Sequence, residues 1–174
     1  MDLRRGSEWR IWDLHVHSPA SILNNQFRGD WDGWVRTLYS RAIEMGVAVI
    51  GVTDYYAIAG YRRLREEYLA DHERLEGLFA SELDEDEEFI DKVLAITVFP
   101  NIEFRLDRFL YDRPDRRSKK PNFHIVFSDE ISTDVVEREF LAKVQIDGLA
   151  EVGGVWEKED LSGESLKRLG KALK

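Results

Sequence analysis

The chain has 174 residues, 43% of them hydrophobic, with 34 acidic side chains against 25 basic ones and a formal charge of −9. That length and apolar content suit one domain with a sizeable core, and the acidic balance excludes a surface that is basic throughout, while leaving room for a local basic strip that contacts phosphate. With no cysteine, disulfides, thiolate metal sites and thiol nucleophiles are excluded, so any metal must rest on His and carboxylate ligands. No apolar stretch approaches the roughly 20 residues that span a bilayer, and Met1 to Gly6 lacks the apolar core of a signal peptide. A cytoplasmic protein with no membrane partner is expected.

In chain order, Ser7 to His17 reads as a first strand. Alternation puts His15 and His17 on one face with Asp13, and Trp12, Leu14 and Val16 on an apolar face suited to covering helices. Ser18 to Gly29 is a polar loop in which Asn24 and Asn25 are candidates for orienting substrate, or equally turn residues. Asp30 is placed to cap a helix from Trp31 to Glu44, with Trp34, Leu38 and Ile43 as its apolar stripe and Gly46 as its stop. Val47 to Val52 is a continuous apolar run, as in a strand buried on both faces of a parallel sheet, and it ends at Thr53 and Asp54. A charged helix is expected over Ala59 to Leu78 and a second over Asp86 to Leu94. His72 falls in the first of these and reads as a solvated surface residue.

Ile96 to Leu106 predicts a strand carrying Glu103, with Pro100 suggesting a bend or a sheet edge. Arg105 opens a basic segment that runs to Pro121, which reads either as a solvated loop or as a clamp on a nucleic-acid backbone. Its three interleaved aspartates favour the former. Phe123 to Phe127 is the next strand and carries His124. Ser132 caps a helix to about Val144 with Val136, Phe140 and Val144 inward, and residues 146–174 are expected to be a helical tail whose last part, from Ser162, is basic. Trp9, Trp12, Trp31 and Trp34 are assigned to the core. Gly153 and Gly154 lack the Lys-Ser/Thr that follows in a phosphate-binding loop, so ATP hydrolysis by this chain is not expected.

Alternating strands and helices, with polar residues collected at strand C-termini, describe an α/β layer or barrel with its site at that rim. Three strands then carry His15 and His17, Glu103 and His124. Imidazoles and a carboxylate suit Zn, Mn or Fe, and a carboxylate can bridge two ions.

Asp13 to His17 (DLHVH), Gly51 to Asp54 (GVTD), Asn101 to Phe104 (NIEF) and Phe123 to Val126 (FHIV) resemble, in order, the first motifs of the polymerase-and-histidinol-phosphatase (PHP) superfamily. The fuller strings Asp13 to Phe27, Thr53 to Tyr56 and Asn122 to Ser128 look like the PHP module at the N-terminus of TrlF-type AAA-like ATPases. The resemblance covers about residues 7 to 145.

It implies a distorted (β/α)7 barrel with two or three Mn, Zn or Fe ions and phosphoesterase or nuclease chemistry, of which this chain would hold the N-terminal part, with one or two ions on His15, His17, Glu103 and His124. Asp54 would act at the rim by orienting a ligand or water, with Asn24, Asn25 and Arg105 toward substrate. Nucleic acid is the implied partner, in DNA repair or defence against phage, together with the ATPase region of a longer chain or a second copy of this one. Tyr55 stands where the family usually has His, and no further His follows within Ser21 to Gln26, so a complete third site is not expected. The family's late His and Asp-x-His have no counterpart before Lys174, which points to truncation. The alternative is a non-catalytic module of the same fold that binds nucleic acid or positions a partner.

Overall fold

Val47 to Val52 carries no polar side chain, so a strand made from it must be covered on both sides and flanked by other strands. In the computed structural model, which describes residues 9–21, 26–105, 110–111, 118–119, 122–152 and 155–160, it becomes an inner strand of the main sheet. The order begins β1 (Ile11–His17), α1 (Trp31–Met45), β2 (Val47–Tyr55) and α2 (Ala59–Arg63), which continues as a π-helical segment (Leu64–Leu69). There follow α3 (His72–Leu78), α4 (Ala80–Glu85), α5 (Phe89–Leu94), β3 (Thr97–Arg105), the short antiparallel pair β4 (Leu110–Tyr111) and β5 (Ser118–Lys119), and β6 (Asn122–Val126). The chain divides into two compact units, residues 1–129 and 130–174, where length alone suggested one domain.

The main sheet has the order β1-β2-β3-β6. β1, β2 and β3 run parallel, as the buried run at Val47 anticipates, and β6 runs antiparallel to β3. The sheet is therefore mixed, and β6 is where it departs from an all-parallel arrangement. Alternation gives it two dissimilar sides. Val16, Ile50, Val52 and Val98 join the helices in one apolar cluster with Trp34, Val35, Tyr39, Leu64, Tyr68, Leu75, Phe79 and Val93. Each aliphatic or phenylalanine side chain sealed there stabilises the fold by about 1.5–3 kcal/mol. The other side carries His15, His17, Thr53, Tyr55, Asn101 and Glu103.

Local signals fixed α1 closely. The Asp30 carboxylate accepts from the Gly33 N–H at 2.9 Å, and Gly46 follows the last turn with φ 67°. The expected helix over Ala59 to Leu78 is broken instead. Its middle turn widens, with the Ala70 N–H reaching the Arg65 carbonyl, and Asp71 then caps a fresh helix by accepting from the Arg74 N–H. His72 is exposed and pairs with Glu76 at 3.3 Å, as a surface residue should. Ahead of the expected Asp86 helix the sequence reading missed α4, and α5 begins only at Phe89.

Pro100 lies inside β3, neither at an edge nor at a strand end. Pairing to β6 stops at Asn101, one residue away, so the side on which proline has no N–H to give needs none. The Pro100 carbonyl is still used, accepting from the Phe127 N–H at 3.0 Å. Trp31 and Trp34 are buried as expected, but Trp9 and Trp12 are exposed, at 101% and 59%. Trp12 belongs to β1, an outermost strand of the sheet, and Trp9 lies two residues before that strand begins.

In the second unit, Ser132 accepts from the Val135 N–H and starts α6 (Thr133–Val135), which widens into a π-helical segment (Val136–Phe140) and then tightens to a 3-10 turn (Leu141–Lys143). Val136 and Leu141 are buried, while Phe140 and Val144 are only half-buried. The expected helical tail is corrected over its first part: β7 (Gln145–Val152) and β8 (Val155–Asp160) form an antiparallel pair, with Val152 opposite Val155. The expected basic helix from Ser162 lies outside the described residues. Among the described residues no helix is long and apolar enough to cross a membrane.

The parallel pairing of β1 with β2 depends on a missing side chain. A Cβ at Gly51 would run into the backbone of Leu14. Gly51→Ala is therefore expected to destabilise the protein by about 1–3 kcal/mol, read as a lowered midpoint in urea unfolding. An unchanged midpoint would mean that the two strands are not held this close.

Candidate metal centre

Register decides which side chains meet. His17 lies beside Thr53, Tyr55 beside Glu103, and Glu103 opposite His124, so β1, β3 and β6 aim their ligands at one region across β2. β2 contributes Gly51, Thr53 and Tyr55 to that side, and the first two are small enough for imidazoles on β1 to reach a carboxylate on β3.

His15 Nε2 lies 3.1 Å from Glu103 Oε2 and 3.2 Å from His17 Nε2, and His17 Nε2 lies 3.4 Å from the same carboxylate oxygen. On the other flank, His15, Glu103 and His124 offer ligand atoms all within 4.8 Å of one another, and the rings of His15 and His124 meet edge-on at 4.5 Å. Two donor triads thus share His15 and Glu103. All four residues expected as ligands are brought together.

Glu103 is the extreme member. It is 0% exposed, and its second oxygen, Oε1, has no hydrogen-bond partner among the described residues. Burying a carboxylate in this way is costly unless a positive charge or donor answers it. Burial lowers the pKa of His17, and the proximity of His15 lowers it further against the opposing pull of Glu103; His124 is lowered by burial and by His15 in the same way. Both rings are accordingly neutral near pH 7 and offer lone pairs. Neutral imidazoles facing a buried carboxylate form a group that could hold a metal ion.

The ligands are held from behind. Ser21 Oγ sits 3.1 Å from His17 Nδ1, the Tyr55 ring stacks on His17 at 5.0 Å, and the indole N–H of Trp34 donates to the His17 carbonyl at 3.1 Å. The amide of Asn101 lies against His124 Nδ1. None of these supports was singled out in the sequence as a support. Asn101 and Tyr55 had a usable signal, since Asn101 shares strand parity with Glu103 and Tyr55 with Thr53. Ser21 had none, because its contact depends on the path of a loop.

Asp54 lies one step back from the ligands. Alternation turns it to the helix-covered side, where Oδ1 accepts from Ser18 Oγ at 2.6 Å and Oδ2 from the Gly60 N–H at 2.7 Å. Both oxygens are committed, so Asp54 acts on the site by tying the loop after His17 to the start of α2. A Cβ on Gly60 would collide with Ser18 and Asp54, and the tie requires glycine there. Arg105 is exposed at the end of β3, with its guanidinium 5.1 Å from the centre of the Tyr55 ring. It therefore adjoins the ligand cluster through Tyr55. Asn24 and Asn25 lie outside the described residues, as does most of the basic segment after Arg105. A cavity of about 300 Å3 adjoins the His-x-His strand, lined by Asp13, His15, His17, Gln26, Phe27 and Trp34 among others.

Compared with family models, curated proteins and solved structures, the chain matches none. The site is therefore read from its own chemistry.

Burial raises the pKa of Asp54 above its ordinary 3.8, against the hydrogen bonds from Ser18 and Gly60 that pull it down. With the folded value above the unfolded one, stability tied to this group is complete below 3.8 and is lost as pH rises through the native pKa. Wild-type stability relative to Asp54→Asn should thus decline from acid pH upward and level off once the carboxyl is ionised, measured by urea unfolding across that range. A difference that grows with pH would reverse the assignment.

Proposed function

We propose that the chain is a PHP-type metal-dependent phosphoesterase module, the N-terminal part of a distorted (β/α)7 barrel, acting on phosphodiester bonds of nucleic acid. One or two Mn, Zn or Fe ions would be held by His15, His17, Glu103 and His124. The observation that carries the reading is Glu103: a fully buried carboxylate with one oxygen facing two imidazoles and the other without a hydrogen-bond partner among the described residues.

Ions held there would supply Lewis acidity toward phosphoryl oxygens and lower the pKa of water. The chain's own residues do the rest. His17 and His124 present neutral nitrogens, and Glu103 brings the negative charge that makes the set selective for cations over anions. His15 is exposed and stands at the open side, where a phosphate can approach. Arg105, fixed against Tyr55, is the cation placed to meet that phosphate. The order of the four motifs along the chain supports the kinship with the module of TrlF-type ATPases, which makes an ATPase region or a second copy of this chain the expected partner, and a cytoplasmic setting the expected one.

The test is metal content by plasma mass spectrometry, followed by Mn and Zn titration of wild type, His15→Ala and Glu103→Gln. Hydrolysis of bis-p-nitrophenyl phosphate and of single- and double-stranded DNA and RNA is measured on the same samples. One or two ions should bind, both substitutions should weaken binding by about tenfold or more, and hydrolysis should fall with them. No binding at millimolar metal, or binding indifferent to Glu103→Gln, sinks the metal reading. Binding without hydrolysis of any substrate sinks the enzyme and leaves the non-catalytic module.

A further inference from the structure

The structure assigns to Asn101 the task of fixing His124 in one tautomer, with the proton on Nδ1 and the lone pair on Nε2. The use of that lone pair rests on the metal reading above; the tautomer itself does not.

The argument is a count of hydrogens. Asn101 is buried, so its amide must be satisfied by protein groups. Its Nδ2 carries two hydrogens and lies 2.6 Å from the Leu14 carbonyl and 2.9 Å from Thr53 Oγ1. Thr53 spends its own hydroxyl hydrogen on a backbone carbonyl, that of Gly51 at 3.2 Å or Leu14 at 3.3 Å, so toward Asn101 it accepts. Both amide hydrogens are then used. Nδ2 also lies 3.1 Å from His124 Nδ1, but it has no third hydrogen to give.

Turning the amide over would set two acceptors, Asn101 Oδ1 and the Leu14 carbonyl, against each other at the shortest contact in the network. The amide orientation is therefore fixed, and the hydrogen between the two residues belongs to the imidazole: His124 Nδ1–H donates to Asn101 Oδ1 at 3.3 Å. The Leu14 carbonyl is available for this because the β1–β2 register shifts between Asp13 and Val16. Ser21 beside His17 imposes no such choice, since a hydroxyl donates or accepts with equal ease.

Free histidine in water favours the opposite tautomer, with hydrogen on Nε2, so the effect is a measurable inversion. Asn101 is thus a positioning residue, and it prepares a ligand nitrogen before any ion arrives.

The experiment is a two-bond 1H–15N correlation spectrum of the histidine rings in metal-free protein, at a pH where the rings are neutral. Wild type should show His124 as Nδ1–H. Thr53→Val frees one hydrogen on Nδ2, which already faces His124 Nδ1, and should move the ring toward Nε2–H. Asn101→Leu removes the acceptor and should do the same, with Mn or Zn affinity lowered about tenfold. Nε2–H in wild type overturns the assignment without any variant, and so does a Thr53→Val spectrum unchanged from wild type. If wild type shows Nδ1–H yet binds no metal, the tautomer assignment stands and the metal reading fails.

Discussion

The structure is organised around a carboxylate removed from water. Glu103 sits on the inner strand β3, reached by imidazoles from β1 and flanked by His124 on β6, and it is enclosed completely. A charge there is tolerable only if positive groups surround it, and the chain supplies three imidazoles of which His17 and His124 are themselves discouraged by burial from carrying a proton. The site therefore concentrates lone pairs and negative charge in one spot. That is an unfavourable arrangement for an empty core and a favourable one for a cation.

Everything nearby serves to keep that arrangement in register. Gly51 lets β1 approach β2 closely enough for His15 to reach Glu103, and Thr53 keeps the next position low. Asp54, facing the opposite way, clamps the loop after His17 to the first turn of α2 through Ser18 and Gly60. Trp34 ties the same loop to α1 by holding the His17 carbonyl. The apolar cluster beneath the sheet and the polar cluster above it are thus joined by residues that alternate along the same strands.

Where sequence reasoning failed, it failed for tertiary reasons. Periodicity alone does not distinguish one helix over Ala59 to Leu78 from two helices that break at a capping Asp71 and re-aim at the core. Trp9 and Trp12 have the size of core residues, but Trp12 belongs to a strand with a neighbour on one side only and Trp9 precedes that strand. The stretch after Val144 has mixed composition, and pairing of β7 with β8 made its first part an antiparallel strand pair in place of a helix. Strand direction was equally invisible: Asn122 to Val126 reads the same whichever way it runs, and only the chain's path back from β3 makes it antiparallel.

The sequence by itself determined the four ligand types, their placement on strands, the buried run at the centre of the sheet and the start and stop of α1. These depend on alternation, apolar content and capping chemistry, all of which act within a few residues. Only the tertiary structure decided that Glu103 would have no contact with water, that Asp54 would face away from the ligands, and that Asn101 would spend both amide hydrogens on β1 and β2. Those outcomes require residues 36 to 88 positions apart in sequence to meet, and no local pattern encodes which of the possible meetings the packed sheet will permit.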